Sequence, residues 1–354
     1  MITKKLELNK ESIKLAAKLI KEGQVVAFPT ETVYGLGADV FNENAVKSIF
    51  EAKGRPNDNP LIVHVAKKED IGKVAREIPL NAQLLINEFM PGPITIVLPK
   101  NKNIPDCVTA GLDSVGVRIP EHKGARDFIE ACGCPIPAPS ANSSGKPSPT
   151  KADHVYEDLF GKIPLILDGG DCQRGVESTV ISLCGETPLL LRPGVITYEM
   201  LTKVLGKVDI HPSVLENGKV DKAASPGMKY KHYSPKARVL IVDADIKKAC
   251  ELYDLASSFN KKPVLIWAEE EITDLKNKNV RILYKNNDIS LAAKNLFSLL
   301  RQTDKEGFDT VFIKSVPSKD EGLSVMNRML RASAFTVLDE NTDINQLKTV
   351  LQLS

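Results

Sequence analysis

The sequence predicts an α/β protein in two parts: a larger domain on a twisted mixed sheet, then a smaller Rossmann-like α/β/α domain with a parallel sheet. Three observations carry this. The chain has 354 residues, which at roughly 150 residues per domain means two domains or one large one. Short apolar runs alternate with helix-period stretches, irregularly and with proline-rich links in the first part, regularly in the second. Between them, H-P-S-V-L-E-N-G-K-V-D-K-A-A-S-P-G-M-K-Y-K-H-Y-S-P over residues 211–235 has many breakers and little apolar periodicity. The expected division is a first domain over 1–210, a linker over 211–236 and a second domain over 237–354.

The first helix is expected over residues 10–22, where Ile13, Ala16, Leu19 and Ile20 recur at helical spacing; Asn9 can cap its start and Gly23 stops it. Residues 25–28 form a short apolar run closed by Pro29, which reads as a buried strand. After Asn42, the residues Ala45, Val46, Ile49 and Phe50 mark one face of a second helix that runs out at Gly54. Residues 61–65, 94–98, 115–119 and 165–168 are further buried strands bounded by turn signals. Beyond the linker, strands are expected at 238–242, 263–267, 280–284 and 310–313. Helical stretches separate them, and a strong helix covers about 322–334. That alternation is the pattern of a layered parallel-sheet domain.

Composition narrows the function. Hydrophobic residues make up 42% and charged residues 26%, enough for a sizeable core and against disorder. Lys plus Arg number 47 and Asp plus Glu 45, a net charge of +2. Such a balance excludes a polybasic binder that works by massed phosphate neutralisation, and leaves room for a local anion pocket. Among six cysteines only Cys132 and Cys134 are close in sequence, with no matching Cys/His pair, so reduced thiols are expected rather than a zinc site. Neither a signal peptide nor a run of roughly 18 apolar residues is evident. The expectation is a cytoplasmic protein with no membrane partner.

Familiar nucleotide motifs fail. Gly145-Lys146 is followed by Pro147, and Val40 stands where the third glycine of a dinucleotide fingerprint would be. Four other stretches concentrate polar chemistry beside short strands. P-T-E-T-V-Y-G-L-G over 29–37 has hydroxyls and glycines that allow close approach to a ligand, though an ordinary turn has the same look. K-G-R-P-N-D-N-P-L over 53–61 places Lys53 and Arg55 at a helix end, either serving the helix dipole or clamping an anion. His64 follows in an apolar strand, where a satisfied core histidine is the common case. I-P-A-P-S-A-N-S-S-G-K-P-S over 136–148 offers hydroxyl and amide donors on a stiff backbone. G-V-E-S-T-V over 175–180 is followed by L-L-R-P-G. Arg118 and Arg192 both end apolar runs, where open α/β sheets bind ligands, although a surface salt bridge explains either arginine taken singly.

Together these stretches resemble the YrdC-like family, the threonylcarbamoyl-AMP synthases. The likeness rests on P-T-E-T-V-Y-G-L-G, K-x-R with N-P-L and His64 behind it, F-M-P-G-P-I-T over 89–95, and S-x-N at Ser140 and Asn142. Met90 stands where the family often has Trp. S-P-G-M-K-Y-K-H-Y-S-P over 225–235 and G-L-S-V-M-N-R-M-L-R-A-S-A from Gly322 resemble the linker and C-terminal domain of the family's long, two-domain form. The resemblance implies a YrdC-like catalytic domain that makes threonylcarbamoyl-AMP and pyrophosphate from L-threonine, bicarbonate and ATP. The product would serve N6-threonylcarbamoyladenosine formation in tRNA, installed by downstream threonylcarbamoyl-transfer proteins. It also implies that Thr32, His64, Arg118, Ala138 and Ser178 surround threonine. Arg55, Asn59, Ser114, Ser140, Ser148 and Arg192 would contact ATP; Lys53 and Asn142 would border the phosphates or bicarbonate; Tyr230 and His232 would close over the nucleotide.

Elementary chemistry agrees with these roles. A carboxylate suits the Arg118 fork, and telling threonine from valine requires a buried partner for the hydroxyl, which Thr32, His64 or Ser178 can supply. With no Ser-His-Asp set or metal cluster in view, the expected catalysis is positioning plus charge stabilisation by Lys53, Arg55, Arg192 and a Mg²⁺ carried by ATP, without a protein cage. The alternatives are an RNA-binding module, disfavoured by the charge balance and lack of a stacking motif, and a carbamoyl-transfer enzyme acting on a protein.

Overall fold

The computed structural model describes residues 1–214, 233–272, 275 and 277–352. They form two units, 1–144 with 148–214 and 145–147 with 233–352.

In chain order the first unit comprises β1 (Lys4–Glu7), α1 (Lys10–Lys21), β2 (Val26–Phe28), β3 (Gly35–Gly37), α2 (Glu43–Lys53), β4 (Ile62–His64) and α3 (Leu80–Phe89). Then come β5 (Ile94–Pro99), α4 (Asp106–Thr109), β6 (Ser114–Arg118), α5 (Lys123–Cys132), β7 (Ile136–Pro137) and α6 (Ala152–Leu159). It ends with β8 (Leu165–Asp168), β9 (Thr179–Ser182), β10 (Leu189–Arg192), α7 (Tyr198–Leu205) and β11 (Asp209–Ile210). The helix signals act as read. Asn9 and Ser12 form a reciprocal capping box at the start of α1. Asn42 caps α2, and Gly54 ends it in the left-handed region at φ 60°.

The single mixed sheet expected from sequence is divided in two. One has the order β1-β8-β2-β3, the other β11-β10-β9-β5-β6-β4-β7, and both mix parallel and antiparallel pairs. The added strands β1 and β3 carry no apolar alternation: Lys4–Glu7 is mostly exposed, and Gly35–Gly37 has one side chain beyond hydrogen. Their pairing comes from partners far along the chain, as in β1 against β8. One apolar cluster packs Ile49, Val63, Leu85, Ile96, Val117 and Ile181 around the larger sheet. A second gathers Ile20, Phe28, Phe128, Ile136 and Leu167. Full burial of each such side chain contributes roughly 1.5–3 kcal/mol.

Two features of this packing position the site. Strands β4 and β6 are parallel with His64 opposite Arg118, so both residues finish on the same side of the sheet. Close approach also demands glycine at two places. A Cβ at Gly37 would lie 2.4 Å from Ile136 Cγ2, and one at Gly194 would lie 2.4 Å from the Thr179 nitrogen.

The second unit contains β12 (Arg238–Asp243), α8 (Ile246–Ser258), β13 (Pro263–Ala268), β14 (Val280–Tyr284), α9 (Ile289–Lys305), β15 (Thr310–Lys314), α10 (Glu321–Ala332), β16 (Val337–Asp339) and α11 (Ile344–Val350). Its five strands are all parallel, in the order β14-β13-β15-β12-β16, which is the predicted α/β/α layout. The helix expected near 322–334 is α10, and it buries the whole of Arg328 together with Ser324 and Asn327. Tyr233, from the expected linker, is buried with its ring stacked on Phe297 at 5.1 Å. Among the described residues no helix is long and apolar enough to cross a membrane.

Candidate active site

The loop between β2 and β3 carries Thr30-Glu31-Thr32, all buried although all polar. A buried carboxylate needs a partner, and Glu31 has one in Arg118 at the end of β6, whose Nη2 donates to Oε1 at 2.5 Å. The Glu121 backbone N–H donates to the other oxygen at 3.0 Å. Burial alone would raise the Glu31 carboxyl, but the charge and hydrogen bond of Arg118 outweigh it and hold the group below the usual carboxylate range. Arg118, read in isolation as a surface salt bridge, is instead 4% exposed. Its Nε is buried with no hydrogen-bond partner among the described residues, and so is Nδ1 of His64, the residue opposite it in register. Burial, then the nearby Arg118 charge, pushes the imidazole down to about 3, so His64 is neutral at physiological pH. Phe28 meets its ring edge-on at 5.9 Å.

Strand β7 runs on into the 138–149 loop, which is laced to β4, to β3 and to Tyr34 beside it. Ala138 N donates to Ile62 O on β4, Leu36 N to Pro139 O, Ala141 N to Tyr34 O and Tyr34 N to Pro149 O, all at 2.8–2.9 Å. Lys53, at the end of α2 and 3% exposed, reaches into this loop. Its ammonium donates to Ser140 O and to Asn142 O, each at 2.5 Å. Two of its three protons therefore hold the loop backbone. Ser140 Oγ donates to Asn142 Oδ1 at 2.5 Å, and Asn142 Nδ2 to Ser143 O at 2.8 Å.

A third group lies at β9 and β10. Arg192 Nε donates to Ser178 O at 3.0 Å and Nη2 to Ser178 Oγ at 3.1 Å. Ser178 Oγ also shares a 2.8 Å hydrogen bond with Thr95 on β5, the strand that pairs with both β6 and β9. Ser148 Oγ donates to Glu177 Oε1 at 2.5 Å, with both groups buried.

The structure thus links Thr32, His64, Arg118 and Ala138 through Glu31, the β4–β6 register and one backbone bond. It links Lys53, Ser140 and Asn142 directly, and Ser178 with Arg192. Asn59 is buried with Oδ1 lacking a partner among the described residues, and Arg55 follows the left-handed Gly54. Ser114 opens β6 while Arg118 closes it, about 13 Å away at roughly 3.3 Å per residue, so the two cannot grip one small group. Tyr230 and His232 lie outside the described residues. Sequence reading passed over Thr30, Glu31, Thr95 and Glu177 as site residues. Glu31 and Glu177 stood inside quoted motifs, but a carboxylate there looks repulsive to an anion until its partner, 87 residues away for Glu31, is known. Among the described residues no group of three or more His, Cys, Asp or Glu side chains is placed to hold a metal ion.

Comparison with known proteins extends these findings. The family profile Sua5_yciO_yrdC, described as "Telomere recombination", matches residues 18–194. A second, described as "Threonylcarbamoyl-AMP synthase, C-terminal domain", matches 196–334. The chain is 48% identical to the threonylcarbamoyl-AMP synthase of Pyrococcus abyssi over 330 residues, 92% of this chain and 95% of the relative. It is 41% identical to the Bacillus subtilis protein of that name, over 95% and 97% of the two chains. The crystal structure of P. abyssi Sua5 complexed with L-threonine superposes with a TM-score of 0.88 at 46% identity, covering 96% of this chain and 98% of that one. With both profiles matched in order and relatives aligned over nearly their full length, the chain belongs to the Sua5/YciO/YrdC family of threonylcarbamoyl-AMP synthases, in the form that carries the additional C-terminal domain.

Proposed function

We propose that the chain is an L-threonylcarbamoyladenylate synthase, a nucleotidyltransferase that joins L-threonine, bicarbonate and the adenylyl group of ATP. The supporting observation is two buried nitrogens with no hydrogen-bond partner among the described residues, Arg118 Nε and His64 Nδ1, on residues opposite each other in the β4–β6 register. Burying such groups without a partner costs about 1–3 kcal/mol each, and a ligand carboxylate answers Arg118 best. Glu31 occupies Nη2, which leaves the Nε edge of the guanidinium for the amino acid. His64, being neutral, adds no charge and serves as a directional hydrogen-bonding group.

In the reaction the neutral amine of threonine attacks the bicarbonate-derived carbon, with loss of water, to give a carbamate. A carbamate oxygen then attacks the α-phosphorus of ATP, and pyrophosphate leaves. Arg55 and Arg192 stabilise the phosphate charge, and Lys53 acts through the Ser140–Asn142 loop whose carbonyls it grips. Ser140 and Ser148 have their protons committed to Asn142 and Glu177. Toward the nucleotide they offer lone pairs, which suit ribose hydroxyls, the adenine amino group or the Mg²⁺ that enters with ATP. Asn59, Ser114 and Asn142 complete the ATP contacts, with Tyr230 and His232 as further nucleotide ligands; Thr32, Ala138 and Ser178 complete the threonine pocket. Residues 1–210 form the catalytic domain, 211–236 the linker and 237–354 the accessory domain. The adenylate is released in the cytoplasm to proteins that transfer its threonylcarbamoyl group to tRNA.

Titration calorimetry with L-threonine tests the reading. Binding should weaken at least tenfold in Arg118→Gln; equal affinity in the two proteins would dismiss Arg118 as the carboxylate site.

A further inference from the structure

Hydrogen-bond direction in the Thr30 loop can be worked out from geometry alone. Thr30 Oγ1 lies 2.6 Å from Val33 O, and a carbonyl only accepts, so the single proton of the Thr30 hydroxyl is committed there. The backbone N–H groups of Thr32 and Val33 donate to the same oxygen, each at 3.2 Å. In the 2.8 Å contact between Thr30 Oγ1 and Thr32 Oγ1 Thr30 has no proton left to give, so Thr32 donates. The two lone pairs of the Thr30 oxygen are shared between this short bond and the two longer backbone contacts. Thr32 is left with lone pairs and no proton to offer, on a residue with no exposed surface.

We propose that Thr30 is a specificity-determining positioning residue: by taking the Thr32 proton, it makes Thr32 an acceptor that only a hydroxyl-bearing amino acid satisfies. The inference rests on the threonine-pocket reading above and adds to it the residue that sets the pocket's polarity. An acceptor-only oxygen repels carboxylate and phosphate oxygens, so the substrate group facing it is a donor. Two donors are available on threonine, the amine and the side-chain hydroxyl. The amine is the nucleophile and is turned toward the bicarbonate-derived carbon, which leaves the neutral acceptor Thr32 to the side-chain hydroxyl. Valine, the isostere without that proton, leaves Thr32 buried and unanswered. A site built around such a bond rejects the analogue far more strongly than an apolar pocket rejects a missing methylene.

The test measures kcat/KM for L-threonine and for L-valine from pyrophosphate release, with ATP and bicarbonate saturating. In Thr30→Val the threonine value should fall about tenfold through KM, with valine unchanged, so the Thr/Val ratio falls about tenfold. Thr30→Ser, which keeps the oxygen, should stay within about twofold of the wild-type ratio. Thr32→Val should lower the ratio like Thr30→Val, and the double variant should lower it no further, because the two hydroxyls act as one unit. An unchanged ratio in Thr30→Val, an equal loss for both amino acids, or a Thr30→Ser that behaves like Thr30→Val overturns the proposal. So does failure of both Thr30→Val and Thr30→Ala to fold, since Thr30 would then be a loop-building residue. A wild type that shows no preference for threonine refutes the functional reading itself, a result separate from any of these.

Discussion

Replacing Glu31 by glutamine isolates the electrostatics of the site. Glu31 and Arg118 are 2% and 4% exposed and joined at 2.5 Å, so the substitution strands a guanidinium charge out of water. Breaking a buried pair by removing one partner costs about 3–5 kcal/mol. The glutamine oxygen still accepts from Arg118, which favours the lower end, about 3 kcal/mol. For a unit of roughly 200 residues, 1 kcal/mol moves Tm by about 2–4 °C, so Glu31→Gln should melt roughly 6–12 °C lower. The effect has a definite pH sign. Arg118 holds the folded carboxyl below its unfolded value, so the stabilisation is full above that unfolded value and is lost as pH falls through the folded one. The gap between wild type and variant should therefore be widest near neutral pH and narrow in acid. Calorimetric melts from about pH 3 to 8 measure both quantities. Added L-threonine should raise the variant's Tm at least as much as the wild type's, because the ligand carboxylate supplies the missing counter-charge. A Tm within about 2 °C of wild type at neutral pH, or a gap that widens in acid, would refute the reasoning.

Three further outcomes follow from the same geometry. Because burial and Arg118 push His64 down to about 3 from 6.5, threonine-dependent turnover should show no inflection near 6.5 that His64→Asn abolishes; the unfolded state takes the proton first, so the stability His64 contributes is full above 6.5 and lost as pH falls below it. Lys53→Met should cut pyrophosphate release at least tenfold with little change in threonine affinity by calorimetry, since it frees the Ser140–Asn142 loop and leaves Arg118 in place; full release would contradict its role. Gly194→Ala sets a methyl 2.4 Å from the Thr179 nitrogen and should lower Tm by several degrees, corresponding to about 1–3 kcal/mol of overpacking.

Much of this arrangement is legible in the sequence, and the exceptions have physical causes. Apolar periodicity and caps located α1, α2 and the central strands, because burial of one face and satisfaction of the terminal N–H groups are local requirements. Strand β3 escapes because Gly35-Leu36-Gly37 has no side-chain pattern: its form is dictated by β2 and by the near contact of Gly37 with Ile136. Division of the sheet escapes for the same reason, being decided by long-range pairings such as β1 with β8. Arg118 and Arg192 were visible as arginines ending apolar runs. Their meaning was not, because the decisive partners, Glu31 and Ser178, are placed by the fold and not by nearby sequence. Lys53 changes most. Two residues before Arg55 at a helix end, it reads either as a partner of the helix dipole or as an anion clamp, and the structure adds a task that neither reading contains, holding two backbone carbonyls of the 138–149 loop. The balanced net charge of +2 fits this pattern, since Lys53, Arg118 and Arg192 are few and buried.

The most direct measurement of the central claim is pyrophosphate release by the full chain given MgATP, bicarbonate and single amino acids, with the nucleotide product identified by mass. Release is expected to require both L-threonine and bicarbonate, to fall sharply with L-valine, and to yield threonylcarbamoyl-AMP in equal amount. Release that proceeds without threonine, or an adenylate that forms without bicarbonate, would contradict it.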